Sequence, residues 1–228
     1  MNQHSIVLRA ANPTFEEGLV FARHLNEVAE GFIQLMYGRR FADIIATAYC
    51  HPDHDYSFQN VTFAERDEGI VGMAVGYTAE QHRRSSDQPL KQSPGYPAVR
   101  KAVVGTLCAP LLRILDTLAD GDFYLLSIAV DNELRGEGVG SALMDSIEDR
   151  ARASGSRRLS LDVSAKNEGA RRLYERRGMT VESQWPKRLR VPGLKLLRMT
   201  KPLQALAGTE LNKTPMLAST SKQDRSKK

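Results

Sequence analysis

The chain has 228 residues, of which 41% are hydrophobic, and this suits one domain with an ordinary core. Cys50 and Cys108 lie outside any CxxC pattern, which excludes a disulfide scaffold or zinc ribbon, and no apolar run approaches the roughly 20 residues of a membrane span. The net charge of +5 comes largely from the last two dozen residues, so it does not require a nucleic-acid partner. We expect a cytoplasmic protein without a membrane partner.

Up to residue 78 the sequence predicts a strand, two helices and a hairpin. Ser5–Ala10 has the composition of a short strand, and Asn12 and Pro13 are expected to be the N-cap and first residue of a long helix. Its inner face is predicted to carry Leu19, Val20, Leu25, Val28 and Phe32. A second helix is predicted through Phe41, Ile44, Ile45 and Tyr49. Two β-rich runs between Phe58 and Thr78 flank the turn sequence RDEG and indicate an antiparallel hairpin.

Residues 80–120 have the pattern of an insertion. Gln81–Pro97 is rich in Ser, Pro and Gln and is predicted to be a loop, whereas Val99–Leu118 has apolar residues at helical spacing with a kink at Pro110. We expect this helix to pack on the domain; an amphipathic helix for a partner or a membrane surface is the alternative.

The most regular stretch begins at Phe123. Phe123–Val130 is almost continuously apolar, as in a strand buried on both faces, and Arg158–Val163 is a second strand. The intervening helix, Val139–Ser154, places on one stripe Val139, Ala142, Leu143, Ile147 and Ala151. A short helix from Glu168 to Arg177, stopped by Gly178, precedes β-rich runs near Met179–Ser183 and Lys195–Thr200. The order predicts an α/β fold with a mixed central sheet of about six to seven strands, and the composition predicts a disordered basic tail over residues 207–228.

A glycine loop joins the first of these strands to its helix. It comprises Arg135, Gly136, Glu137, Gly138, Val139, Gly140 and Ser141. Backbone N–H groups and the positive end of the helix dipole converge there, and glycines let a pyrophosphate approach the backbone, so the loop is a candidate anion site. It lacks the lysine of a P-loop, and the last glycine of a dinucleotide-binding GxGxxG would fall on Ser141 or Leu143. Asp162 ends the next strand as a ribose-binding acid would, which keeps a nucleotide-binding protein as an alternative.

The helix after Asn167 carries a second group of candidate residues. Asn167, Ala170 and Tyr174 are three and four residues apart, so they share one face, and small Ala170 leaves room for a ligand. Asn167 is either a helix N-cap alone or also a ligand contact through its amide.

These two blocks carry a family resemblance. RGEGVG and NEGARRLYERRGM, in this order and spacing, resemble the two motifs of the GNAT superfamily of N-acetyltransferases. The resemblance implies a GNAT domain over residues 1–206 with its acetyl-CoA-binding core at 123–180. Acetyl-CoA would be the cosubstrate, with its pyrophosphate on the loop and its pantetheine arm paired with Ile128, Ala129 and Val130. The acetyl group would pass to a primary amine by direct attack in a ternary complex, with Tyr174 as the acid for the departing thiolate.

The general base and the acceptor stay open. Relatives that acetylate protein lysines carry a Glu where this chain has Tyr124, so either another residue or a water chain would act as the base here. The candidate residues are Glu65, Asp122, His51 and His54, with Ser127 facing the same region. The HPDHD cluster of residues 51–55 favours a loop over a metal site. The acceptor is predicted to be an amine on a small molecule or a protein, and a homodimer is left open. An acyl-CoA-binding sensor without transferase activity is the alternative function.

Overall fold

The computed structural model of the chain describes residues 5–67, 69–112, 114, 117–186 and 195–203. The strands are β1 Val7–Ala10, β2 Val61–Arg66, β3 Gly69–Thr78, β4 Asp122–Val130, β5 Arg158–Ser164, β6 Thr180–Trp185 and β7 Leu196–Pro202. The helices are α1 Phe15–Val28, α2 Phe32–Tyr37, α3 Phe41–Tyr49, α4 Ala79–Arg84, α5 Gln88–Gln92, α6 Ala98–Leu112, α7 Val139–Ala153 and α8 Glu168–Arg176. The strands form one mixed seven-stranded sheet in the order β1-β2-β3-β4-β5-β7-β6, which confirms the predicted fold class.

Each face of the sheet carries its own hydrophobic cluster. On one face α1, α2 and α3 pack over β2 and β3, with Phe21, Ile44 and Tyr49 fully buried. On the other face α7 and α8 pack over β4, β5 and β7, with Leu143 and Ile147 fully buried. We call these the α1–α3 face and the α7–α8 face.

The start of α1 differs from the prediction. Its N-cap is Thr14, whose Oγ1 accepts from the Glu17 N–H at 3.3 Å, whereas Asn12 donates to the Glu17 carboxylate through its backbone N–H at 2.7 Å and its amide at 2.8 Å. Pro13 therefore precedes the cap instead of opening the helix.

The predicted inner stripe of α1 is correct at Leu25 and wrong at its end. Val28 is 45% exposed, and the helix stops there because Glu30 and Gly31 take left-handed φ angles of 50° and 82°. Phe32 therefore belongs to α2. The buried positions instead include Phe21, Ala22 and His24. A close approach of α1 to α3 at Gly18, where a Cβ would lie 2.7 Å from the Ala46 Cα, fixes which side of the helix faces inward.

The predicted loop at Gln81–Pro97 is wrong, because two short helices, α4 and α5, lie in it. Thr78 and Gln81 form a reciprocal capping box that starts α4. Leu90 is buried, and the Ser93 hydroxyl donates to the Ile44 carbonyl at 3.2 Å, so α3 holds α5 in place. Tertiary contacts thus override a loop-like composition.

The helical prediction for Val99–Leu118 is confirmed as far as Leu112 by α6, which includes Pro110. This helix contacts α2, where the Arg100 side chain donates to the Leu35 carbonyl at 2.8 Å, and Val104 packs against the α1–α3 cluster. Val99 and Leu107 are 79% and 75% exposed, so the helix buries only part of its apolar surface.

Strands β4 and β5 separate partway along the sheet. They pair in parallel only from Asp122↔Arg158 to Leu125↔Leu161, although β4 continues to Val130 and β5 to Ser164. At the point of separation the β3–β4 register shifts, since Val75 pairs with Ser127 and Gly76 with Leu125, which leaves Leu126 as an extra residue in a β-bulge. The two strands therefore leave a slot between their carboxyl ends.

Candidate functional site

The wall of the slot on the β4 side presents unpaired backbone groups. The Asp131 N–H donates to the Val71 carbonyl at 2.9 Å, and β4 runs antiparallel to β3. Because hydrogen-bonded residues alternate along an antiparallel ladder, the N–H and C=O groups of Ile128 and Val130 point away from β3 and into the slot, while those of Ala129 point toward β3. The described part of β5 does not pair with them.

The glycine loop lies at the end of this slot. Gly136 and Gly138 have φ angles of 89° and 91°, and a Cβ on either would meet no atom within 4 Å. Gly138 caps α7, and the first N–H to donate back into the helix is that of Ala142, to the Gly138 carbonyl at 3.0 Å. The N–H groups of the first helical turn, on Val139, Gly140 and Ser141, therefore lie at the helix end, where the dipole favours an anion.

Side chains around the loop fix its position. Arg66 binds the Glu137 carboxylate at 2.7 Å, and the Glu137 N–H donates to the Leu134 carbonyl at 3.3 Å. Arg177 on the far side of α7 donates to the Ser141 carbonyl at 2.9 Å and pairs with Asp145. Arg135 is exposed beside the glycines. Gly140 lies close to the slot, since a Cβ there would be 3.8 Å from Val130 Cγ2.

Tyr174 lies on the α7–α8 face. It is buried in that cluster, and burial raises the pKa of its phenol to about 12, so the hydroxyl is protonated at neutral pH. Asn167 is the N-cap of α8, with its Oδ1 accepting from the Ala170 N–H at 3.0 Å. Ala170 is partly buried against the same cluster.

On the opposite face, β4, β5 and β7 share a buried polar group. The Tyr124 hydroxyl donates to Asp162 Oδ2 at 2.9 Å, and Arg198 binds both oxygens of the same carboxylate at 2.6 and 2.8 Å. The Arg198 guanidinium lies 5.5 Å from the Tyr124 ring centroid. Burial and the Asp162 charge raise the pKa of Tyr124 well above its usual value. Asp162 is therefore engaged within the sheet, which argues against its role as a ribose ligand.

The two carboxylate candidates for the general base, Glu65 and Asp122, form ion pairs with arginines elsewhere in the fold. Glu65 binds Arg9 at 2.6 Å, and Asp122 binds Arg158 through both oxygens at 2.8 and 2.9 Å. These ion pairs leave neither carboxylate turned toward the slot as an unpaired base.

The HPDHD segment has a structural explanation of its own. His54 is buried, and its ring donates to the Ala48 carbonyl at 2.7 Å, while burial lowers its pKa. Asp55 pairs with His82 at 2.8 Å, and His51 is exposed. Within the described ranges, no three His, Cys, Asp or Glu side chains are grouped as metal ligands.

Sequence reasoning missed Tyr77 and its neighbours. The Tyr77 ring stacks on His82 with centroids 5.6 Å apart and lies 5.8 Å from the Tyr124 ring. Strand alternation in β3 places Tyr77 on the face of Val75, but only the β3–β4 register brings it to Tyr124. Ser127 was predicted to face this region, and it is buried on the same face as Val75.

Comparison with known proteins gives the family. The model of the acetyltransferase (GNAT) family matches residues 22–179. A crystal structure of an acetyltransferase is 26% identical, with a TM-score of 0.60, covering 87% of this chain and 100% of that chain. An N-acetyltransferase from Staphylococcus aureus Mu50 is 18% identical, with a TM-score of 0.65, covering 86% of this chain and all of that chain. The ribosomal-protein-S18-alanine N-acetyltransferase from Escherichia coli is 16% identical, with a TM-score of 0.50 and coverage of 91% and 99%.

Among curated proteins the sequence has no significant match. In the part of the chain that the structure describes, no helix has the length and apolar character needed to cross a membrane. The family model covers more than half of the chain, and the separated strands and glycine loop lie within its span. This chain belongs to the GNAT family of acetyltransferases.

Proposed function

We propose that this protein transfers the acetyl group of acetyl-CoA to a primary amine by direct attack in a ternary complex. The observation that carries the proposal is the slot between β4 and β5, which offers unpaired backbone groups at Ile128 and Val130 and ends at the glycine loop. The family membership supports acetyl transfer as the reaction class. The catalytic domain would span residues 1–206, with the cofactor-binding core at 123–180.

The slot fits the shape and polarity of CoA. A pantetheine arm carries amide groups that pair with a strand edge. The edge of β4 that faces the slot, at Ile128, Ala129 and Val130, does not pair with β5. The pyrophosphate would lie on the loop and accept from the N–H groups of the first turn of α7. The loop residues are Arg135, Gly136, Glu137, Gly138, Val139, Gly140 and Ser141. Arg135 adds a positive charge. Asn167 and Ala170 would line the slot beside the thiol end of the arm.

Tyr174 is the proposed acid. The neutral amine attacks the thioester carbon, and a backbone N–H near Val130 stabilises the resulting oxyanion. The C–S bond then breaks, the thiolate takes the Tyr174 proton, and Tyr174 regains a proton from the nitrogen of the new amide. The raised pKa keeps this phenol protonated until the thiolate forms.

The test combines calorimetry with a thiol-release assay. Wild type should bind acetyl-CoA and release CoA thiol when primary amines are added. Tyr174→Phe should keep the Kd for acetyl-CoA and lower kcat by about 10²- to 10⁴-fold, the range of general acid catalysis. Binding of acetyl-CoA without thiol release by wild type would point to a sensor instead, and an unchanged kcat in Tyr174→Phe would remove this tyrosine from the mechanism.

A further inference from the structure

Two buried hydroxyl groups have no hydrogen-bond partner in the described part of the chain. Tyr77 is 1% exposed and Ser127 is 5% exposed, and both Tyr77 Oη and Ser127 Oγ lack a partner. A buried polar atom that stays unpaired destabilises the fold, so such atoms are uncommon in native proteins. Two of them on neighbouring, paired strands suggest that a ligand completes their hydrogen bonds.

Both side chains lie on the α1–α3 face, and Ser127 lies in the part of β4 that no longer pairs with β5. Ser127 pairs with Val75 and Tyr124 pairs with Tyr77 across the β3–β4 ladder. Val75 and Tyr77 are two residues apart, so their side chains and those of their partners share one face. Tyr174 belongs to the cluster on the other face. A thioester lying in the slot would therefore have Tyr174 on one side and these hydroxyls on the other.

Tyr124 adds a third oxygen with a fixed role. Its hydroxyl hydrogen is donated to Asp162, which Arg198 holds through both oxygens. The phenol oxygen of Tyr124 can therefore only accept a further hydrogen bond. Burial also raises the pKa of this phenol, so it does not become a base.

The charged groups nearest to Tyr77 and Tyr124 are already paired with each other. Burial raises the pKa of Tyr77 well above its usual value, and the nearby Asp55 and Asp162 carboxylates raise it further. Asp162 is balanced by Arg198, and Asp55 is paired with His82. His82 stacks on the Tyr77 ring and the Arg198 guanidinium lies 5.5 Å from the Tyr124 ring centroid, so the hydroxyl oxygens, and not the ring faces, are the groups left to bind a ligand.

We propose that Tyr77, Tyr124 and Ser127 form the binding site of the acceptor's amino group, and that the acceptor is a primary aliphatic amine bound as its ammonium ion. This inference rests on the proposed function. A primary ammonium presents three N–H donors, one for each hydroxyl oxygen, whereas an N-methylated amine presents two and an alcohol one. After the ammonium has lost one proton to solvent, its lone pair is free to attack the thioester and two N–H groups remain bound.

The experiment measures thiol release at saturating acetyl-CoA with n-butylamine, 1,4-diaminobutane and glycinamide as probes. Ser127→Ala and Tyr77→Phe should each raise the KM for the best probe by about 10- to 100-fold, the range for a hydrogen bond to a charged group. The Kd for acetyl-CoA, measured by calorimetry, should stay at the wild-type value. N-Methylbutylamine and 1-butanol should be poorer acceptors than n-butylamine.

Stability separates a ligand-binding role from a structural one. Tyr77→Phe removes an unpaired hydroxyl, so its Tm should equal or exceed that of wild type. Tyr49→Phe is the matched control, because the Tyr49 hydroxyl donates to Glu17 at 3.3 Å. It should lower Tm and leave the KM for the amine unchanged.

The outcomes distinguish the two proposals. If wild type fails to bind acetyl-CoA, the proposed function is wrong, and the proposed acceptor site, which depends on it, is wrong as well. If wild type binds acetyl-CoA but acetylates none of the three amines, the amine site is wrong while cofactor binding stands. If transfer occurs and neither Ser127→Ala nor Tyr77→Phe changes the KM for the amine, these hydroxyls do not hold the acceptor.

Discussion

Gly138→Glu tests whether the glycine loop binds the pyrophosphate of CoA. Gly138 has a φ of 91°, which costs about 1–2 kcal/mol for a residue with a Cβ, and the space beyond its Cα is open. A carboxylate there would lie about 5 Å from the pyrophosphate, and at an effective dielectric constant of about 20–80 each pair of charges repels by about 1–3 kcal/mol. The Kd for acetyl-CoA should therefore rise by about 5- to 150-fold.

Gly155→Glu is the matched control for this change. Gly155 also has a left-handed φ, 72°, and open space at its Cβ position, so the backbone strain is comparable. It follows the other end of α7, about 22 Å away at 1.5 Å per residue. Calorimetry should give wild-type affinity for Gly155→Glu, and the difference between the variants should shrink at high salt. Equal Kd values for the two variants would refute the placement of the pyrophosphate.

Three further predictions concern stability and pH. Arg150 donates to the Asn60 carbonyl at 3.0 Å and to the Gly76 carbonyl at 3.1 Å. Arg150→Met should therefore lower the free energy of unfolding, measured in urea titrations, by about 2–4 kcal/mol. An unchanged value would mean that water replaces these hydrogen bonds. Gly105 lies in α6 with open space at its Cβ position, so Gly105→Ala should raise the same quantity by about 0.5–1 kcal/mol, and a decrease would show that α6 is not helical there. The protonated phenol of Tyr174 is the proposed active form, and burial raises its pKa to about 12. The kcat should therefore show no fall between pH 7 and 10 that depends on Tyr174. A fall in that range that disappears in Tyr174→Phe would contradict the raised pKa.

The sequence predicted the glycine loop and the helix of the proposed cofactor site because their signals are local. The glycine loop and the helix Glu168–Arg176 are short, continuous segments, and glycines, an N-cap and helical spacing determine their geometry. The start of α1 also had a local signal that the prediction overlooked. Thr14 and Glu17 have the spacing of a capping box, which favours Thr14 as the cap over Asn12.

The residues on the proposed acceptor side of the slot could not be predicted from local patterns. Asp162 and Arg198 are 36 residues apart, and they meet only because β5 pairs with β7 in one particular register. The helix α5 depends similarly on the contact between Ser93 and Ile44. Registers and tertiary contacts of this kind are set by packing across the whole sheet, and one sequence does not specify them in any local pattern.

The β-bulge in β4 explains how the two sides meet at one place. Tyr124 and Ser127 are three residues apart, so in a regular strand their side chains would point to opposite faces. The extra residue, Leu126, shifts the alternation by one, and both side chains then lie on the α1–α3 face. The parallel pairing with β5 ends at Leu125, one residue before the bulge. One irregularity therefore coincides with the opening of the slot and brings Ser127 beside Tyr124, which joins the proposed cofactor site to the proposed acceptor site.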